Sequence, residues 1–277
     1  MRWYEAIFYG MLQGLSEFLP ISSSGHLALA QELFGSPLDL SERLGFSVLL
    51  HLSTLLAVLI TYKRDVTALV KGAFTLLFKV FFKKAKPADL EQNERLALCT
   101  LVSTLMLIPA ALVDGLSDIL SSSILVIGIC LLLNAVILWF SDVVGKQSKD
   151  LSKITLKNAF LTGICQLFAL MPGISRSGTT VTGMLCQDFD RESSVKYSFI
   201  MSIPAILGAS VFKLPSMFTA QMSARDISVY ALGALCALIT AVLAMKLLTL
   251  ISKKSNFRIF SYYCAALGLA VTVKALL

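Results

Sequence analysis

Residues Gln13–His26 read QGLSEFLPISSSGH. The stretch sets a carboxylate, an imidazole, three consecutive serines, a proline and a glycine in an apolar chain. Proline has no N–H to donate and glycine adopts conformations that other residues avoid, so a helix entering here breaks near Pro20. Serines then offer hydroxyls to cap a new helix. Polar side chains on broken backbone within apolar sequence need a protein-lined or polar cavity around them.

The rest of the chain says what surrounds that break. Of 277 residues, 56% are hydrophobic and 15% charged, against about 25% charged in a soluble domain. Uncharged apolar runs at 44–62, 96–113, 119–140 and 227–245 approach the roughly 20 residues that cross a bilayer. Shorter uncharged runs lie at 197–212 and 259–273. These predict an all-α integral membrane protein with six transmembrane helices. Glu5 and Glu17 interrupt the start of the chain where the apolar core of a signal peptide would stand. The cysteines at 99, 130, 165, 186, 236 and 264 have no C-x-x-C spacing and read as small apolar residues.

The net charge of +7 is not spread evenly. Basic residues gather in 63–95, 141–157 and 246–258, whereas 114–118 holds Asp114 and Asp118 and no basic residue. Loops rich in Lys and Arg stay in the cytoplasm, so the charge reads as orientation and contact with anionic lipid rather than as nucleic-acid binding. The stretch KGAFTLLFKVFFKKAKP, from Lys71, reads as an amphipathic helix on the inner surface. With those three segments inside, the apolar run 158–174 starts and ends inside, and residues 1–34 start and end outside. Each is then a re-entrant helical hairpin, and the two enter from opposite faces.

A repeat agrees with this. A shift of 153 residues lays Gly10 on Gly163, Gln13 on Gln166, Ile21 on Ile174, Ser22 on Ser175, Ser24 on Ser177 and Gly25 on Gly178. QGLSEFLPISSSG thus overlays QLFALMPGISRSG. The chain reads as a single membrane domain, 1–277, of two halves, 1–149 and 150–277, in inverted topology. Such folds bind ligands where broken helices meet near the midplane.

The chemistry at the two tips suits phosphate. Helix N-termini present free N–H groups and a positive dipole end. Ser22, Ser24, Gly25, Ser175, Ser177, Gly178 and Thr180 supply hydroxyls and close backbone, and Arg176 adds a planar fork matched to phosphate oxygens. Gln13 and Glu17 share a helix face at i and i+4. Together they could hold a divalent cation, Mg2+ or Ca2+, beside a phosphate; Glu17 could instead be a general base. His26 suits proton transfer, and Ser23 or a neighbouring serine could be the nucleophile it activates. Blander readings stand beside these. Glu17 and Arg176 could be only a structural ion pair, the serines could serve close packing, and His51, within 44–62, reads as a packing residue.

QGLSEFLPISSSGH and PGISRSGTT, from Pro172, resemble the two signature regions of the bacterial undecaprenyl pyrophosphate phosphatase family, the bacitracin-resistance type. The resemblance extends over nearly the whole chain. It implies hydrolysis of undecaprenyl pyrophosphate to the monophosphate, which recycles the peptidoglycan lipid carrier, in the bacterial inner membrane with a pocket open to the outer face. It implies that Glu17, Ser23, His26 and Arg176 occupy catalytic positions, and that a divalent cation takes part. Gln13 stands where the family also carries Glu. A polyprenyl pyrophosphate lipid and membrane lipids are the implied partners; an oligomer is compatible with the sequence, which sets no stoichiometry.

Two rival assignments fit less well. SSSGH is similar to the P-S-G-H element of phosphatidic acid phosphatases, but no histidine follows Ser175-Arg176. That superfamily needs one, so the assignment fails. A polyprenyl-phosphate transporter or flippase would use the same inverted-repeat pocket, but it has less need for Glu17.

Overall fold

The computed structural model describes residues 1–35, 40–83, 90–111, 123–144, 147–219, 224–254 and 257–277. Regular structure in these residues is helical, with one isolated bridge between Lys149 and Phe189. The chain opens with α1 (Trp3–Phe18) and α2 (Ser23–Phe34), continues through α3 (Leu40–Thr61) and α4 (Lys63–Phe78), and adds a π-helical turn at Lys79–Lys83. Next come α5 (Gln92–Leu105), the short α6 (Ile108–Ala111) and α7 (Ile124–Ser141). The second part holds α8 (Leu156–Phe168), α9 (Arg176–Leu185), α10 (Arg191–Thr219), α11 (Ala224–Lys254) and α12 (Arg258–Leu276).

Among the described residues, five helices are long and apolar enough to cross a membrane: Leu44–Thr61, Ile124–Ser141, Arg191–Val211, Asp226–Lys253 and Arg258–Leu276. Their outward faces carry exposed large side chains such as Val136, Trp139, Ile239 and Leu243, as lipid contact requires. The expected span 96–113 is different. Its helix stops at Leu105 and resumes at Ile108. Pro109 explains the break: it has no N–H for the Leu105 carbonyl, and its ring would clash with that carbonyl in a continuous helix. Residues 112–113, the start of the expected span 119–140 and the acidic loop 114–118 lie outside the described residues.

Both motif regions are helix breaks. Between α1 and α2 the chain turns at Leu19–Ser22, and between α8 and α9 at Ala169–Ser175. The breaks abut each other. Ser22 Oγ accepts from the N–H of Gly173 at 3.1 Å, and Ser177 Oγ donates to the Leu19 carbonyl at 3.3 Å. Gly173 adopts φ +103°, and a Cβ there would meet the Ile127 carbonyl oxygen at 2.7 Å. Only glycine meets both conditions.

Helices distant in sequence pair with one another. α1 lies along α11 and α8 along α5, while α3 pairs with α10 and α7 with α12. Gly10 and Gly163, which the 153-residue shift superposes, permit the first two contacts. A Cβ at Gly10 would sit 2.2 Å from the Gly233 carbonyl oxygen, and one at Gly163 would sit 2.8 Å from that of Ser103. Small residues let membrane helices approach this closely. The central core gathers Phe18, Leu55, Val58, Leu138, Leu185, Phe199, Met245 and Leu248 from six helices.

α4 is amphipathic. Leu69, Gly72 and Leu76 face inward, while Phe74, Phe78, Phe81 and Phe82 are exposed. Lys79 is not a free basic flank, because its Nζ lies 2.8 Å from a Glu94 oxygen. Residues 84–87 of this stretch are outside the described residues. Ion pairs Arg191–Asp142 (2.9 Å), Lys196–Asp65 (2.6 Å) and Lys253–Glu192 (3.2 Å) tie together the segments read as cytoplasmic.

Candidate active site

The last turns of α1 carry Gln13 and Glu17 on one inward face, and Gln13 Nε2 donates to Glu17 Oε2 at 3.0 Å. The two restarted helices converge on the same carboxylate. Ser23, first residue of α2, donates its hydroxyl to Glu17 Oε2 at 2.7 Å. Arg176, first residue of α9, donates from Nη2 to Glu17 Oε1 at 2.5 Å. Ser23 and Arg176 are mates under the 153-residue shift. The buried carboxylate, 7% exposed, is thus held by a hydroxyl from one tip and a guanidinium from the other. A carboxylate removed from water is costly unless it is so paired.

The caps are matched as well. Ser22 accepts from the N–H of Gly25 at 3.3 Å, and Ser175 from that of Gly178 at 3.1 Å. These bonds use one N–H at each helix start, so phosphate would meet the first-turn N–H groups of Ser23, Ser24, Arg176 and Ser177 instead. Ser22 pays a conformational cost at φ 75°, of about 1–3 kcal/mol for a non-glycine residue. Its Oγ bonds to both tips, which hold it there.

Asn134 of α7 fastens the tips together. Its side chain is fully buried, donates to the Pro20 carbonyl at 3.0 Å, and accepts from the Ser175 N–H at 3.0 Å. One amide therefore fixes the end of one break to the end of the other.

These residues border a cavity of about 210 Å³. Glu17, Ser22, Ser23, Ser24, Ser175 and Arg176 line it, with His51 and Gln166. Leu107, Leu170, Ile174, Ala205, Ile206 and Ala209 form an apolar flank. The break that Pro109 imposes after α5 is what delivers Leu107 to this wall. A cavity with a charged, hydroxyl-bearing end and an apolar end suits an amphiphile whose head is phosphate.

The structure separates the remaining expected residues from this wall. Gln13 lies buried behind Glu17, and its Oε1 has no partner. Gly25 and Gly178 pack between the tips, and Ser177 is buried against Leu19. Thr180 hydrogen-bonds the Arg176 carbonyl and Ser198. His26 faces elsewhere. Its Nδ1 lies 2.8 Å from the Ser22 carbonyl and its Nε2 lies 2.7 Å from the Tyr263 hydroxyl, with the rings stacked. The imidazole on the cavity wall is that of His51, which the sequence presents as a packing residue. His51 Nε2 is 3.9 Å from Glu17 Oε2. Nothing local in the sequence marks His51 or Asn134, but the repeat does pair Gln166 with Gln13.

The donor set fits a divalent cation that arrives with phosphate. The described residues hold no cluster of three or more His, Cys, Asp or Glu side chains. Mg2+, however, commonly takes one or two carboxylates with the substrate's own phosphate oxygens. Glu17 supplies the carboxylate, and the unpartnered Gln13 Oε1 is a buried oxygen beside it.

Known proteins are similar to this chain over nearly its whole length. Undecaprenyl-diphosphatase of Alkaliphilus metalliredigens is 36% identical over the whole of both chains. The protein of the same name from Alcanivorax borkumensis is 36% identical over 98% of each chain. That of Methanosphaera stadtmanae is 34% identical over 97% of this chain and 96% of its own. The family profile described as bacitracin resistance protein BacA matches residues 6–270. The chain therefore belongs to the BacA family of multi-pass, helical membrane proteins.

Proposed function

We propose that the chain is an undecaprenyl pyrophosphate phosphatase, which hydrolyses the lipid pyrophosphate to undecaprenyl phosphate and inorganic phosphate and so recycles the peptidoglycan lipid carrier. The observation that carries this reading is the Ser23 hydroxyl bonded to Glu17, with Arg176 alongside, at the polar end of a cavity with an apolar flank. The lipid enters head first. Arg176 keeps one nitrogen on Glu17 and turns the rest of its fork to the terminal phosphate. The first-turn N–H groups of α2 and α9 hold further oxygens.

Ser23 Oγ attacks the terminal phosphorus and its proton passes to Glu17, already 2.7 Å away. The bond from that phosphorus to the bridging oxygen breaks, Glu17 passes the proton to the departing undecaprenyl phosphate, and the lipid leaves. Glu17, ionised again, then takes a proton from the water that attacks the phosphoserine and returns it to Ser23 Oγ as inorganic phosphate departs. Glu17 is better placed than His26 to take the serine proton, since both His26 nitrogens are engaged elsewhere. A divalent cation held by Glu17 and Gln13, when bound, would neutralise charge developing on the leaving phosphate. Direct attack by water, with Ser23 as a donor only, is the competing route.

The proposed fold has six crossings and two re-entrant hairpins, α1–α2 and α8–α9, in inverted halves 1–149 and 150–277. It sits in the bacterial inner membrane, with 63–95, 141–157 and 246–258 inside and the cavity open to the outer face. The exchanged packing of α1 on α11 and α8 on α5 supports this. Transport of the lipid phosphate through the same pocket is the second reading. Against it, the void that Pro20, Ser177, Gly178 and Thr182 line together with Leu138, Val181, Leu248 and Phe257 is only about 10 Å³.

Purified protein in detergent, given undecaprenyl pyrophosphate and Mg2+, should release inorganic phosphate. With substrate labelled on the terminal phosphate, rapid acid quench should leave label on wild-type protein and none on Ser23→Ala. Phosphate release without labelled protein at any time, and substantial turnover by Ser23→Ala, would support the water route. No release at all would refute hydrolysis.

A further inference from the structure

We infer that His51 is a direct ligand of the divalent cation and shares it with Glu17. The inference rests on the phosphatase reading above and adds to it a residue outside both motifs. Three observations carry it.

The first is the tautomer. His51 Nδ1 lies 2.8 Å from the Ser47 carbonyl oxygen. A carbonyl can only accept, so Nδ1 carries the proton. In this tautomer the uncharged ring presents its lone pair on Nε2. A backbone carbonyl on the far nitrogen is how metal-binding histidines are usually oriented.

The second is where that lone pair points. His51 lines the cavity, and Nε2 is 3.9 Å from Glu17 Oε2. This is too long for a hydrogen bond. It suits two donors of one ion: ligands each about 2.1–2.4 Å from a metal can lie up to about 4.2–4.8 Å apart. His26 offers no such lone pair, because its Nε2 meets the Tyr263 hydroxyl at 2.7 Å.

The third is the weakness of the motif's own donors. At position 13 this chain has an amide, not a second carboxylate. Glu17 Oε1 is taken up by Arg176. Oε2 also accepts from Ser23 and Gln13; that oxygen and one buried amide oxygen hold an ion weakly, and an imidazole nitrogen 3.9 Å away on the cavity wall strengthens the set. Phosphate oxygens and water complete it. Nitrogen among the ligands also favours a transition-metal ion over Ca2+.

Mn2+ tests this through a signal separate from turnover. Full-length protein in detergent is loaded with Mn2+ and methylenediphosphonate, and electron spin-echo modulation is recorded. Histidine nitrogen coupling should appear alongside phosphorus coupling, and should change when only histidine is labelled with 15N. The chain has two histidines; His26→Gln should retain the nitrogen signal and His51→Gln should lose it. His51→Ala should weaken Mn2+ binding about tenfold or more, at least what loss of an outer-shell partner costs.

Phosphorus coupling without histidine nitrogen in wild-type protein would overturn the role of His51 and leave the phosphatase reading intact. Histidine coupling that survives in His51→Gln would overturn it too. Absence of bound Mn2+ would remove His51 as a ligand, while phosphate release in the separate assay would still decide the function. Because the wild-type spectrum is decisive by itself, poor folding of a variant does not blunt the test.

Discussion

Ser23 and Arg176 open their helices at equivalent places in the repeated motif, yet one is a hydroxyl and the other a cation. Both reach Glu17, one on each oxygen. The sequence repeat sets two helix starts at one carboxylate, and their different side chains offer it a hydroxyl on one side and a cation on the other. In the proposed reaction the charge of Arg176 is not sufficient. It must hold Glu17 with one nitrogen and phosphate with others, which a planar fork does and a point charge does not. Arg176→Lys should therefore lower kcat/KM by about a hundredfold or more, the scale of losing a preorganised donor. Its thermal unfolding should stay near that of wild type, because lysine still neutralises Glu17. Steady-state kinetics beside a melting curve checks this. Near-normal turnover would reduce Arg176 to a structural counter-ion.

At the scale of elements, the site depends on two broken helices held end to end. Asn134 does much of the holding, with one hydrogen bond to each break. Asn134→Ala strands the buried Ser175 N–H and leaves the Pro20 carbonyl only the Cys264 thiol at 4.0 Å, at about 1–3 kcal/mol for an unsatisfied group. The variant should melt several degrees lower and lose activity, and Asn134→Asp should not restore it, since a carboxylate cannot donate to Pro20. Unchanged melting of Asn134→Ala would show that the tips hold without it. The breaks themselves were legible, because Pro, Gly and Ser interrupt apolar runs twice at one spacing. The Glu17–Arg176 pair was legible too, since charges at such depth need a partner. Asn134 and His51 were not: each is one polar residue in an apolar helix, and its meaning lies in what faces it. Pro109 is visible in the sequence, but the apolar run from 96 to 113 dominates the hydropathy and hides the break after Leu105.

For the whole molecule, the arrangement turns on which loops share a side. The ion pairs that join α10 to the end of α7, the start of α4 and the end of α11 require those ends to lie together. They include the basic segments, and basic segments stay in the cytoplasm. In the proposed topology those ends lie inside, so α3, α7 and α11 run inward and α10 and α12 run outward. On that proposal the α1–α2 pair returns to the face it came from, as does α8–α9, and the cavity bounded by α10, the break after α5 and both tips opens outward. Single cysteines in a background lacking the six native ones test each step. A membrane-impermeant maleimide added to intact cells should label Lys274→Cys and spare Glu91→Cys and Lys153→Cys until the membrane is opened. Labelling of Glu91→Cys from outside would reverse α5 and remove the inverted relation between the halves. Labelling of Lys153→Cys from outside would reverse the α8–α9 tip, so the two tips would enter from one face and could not meet as their hydrogen bonds require.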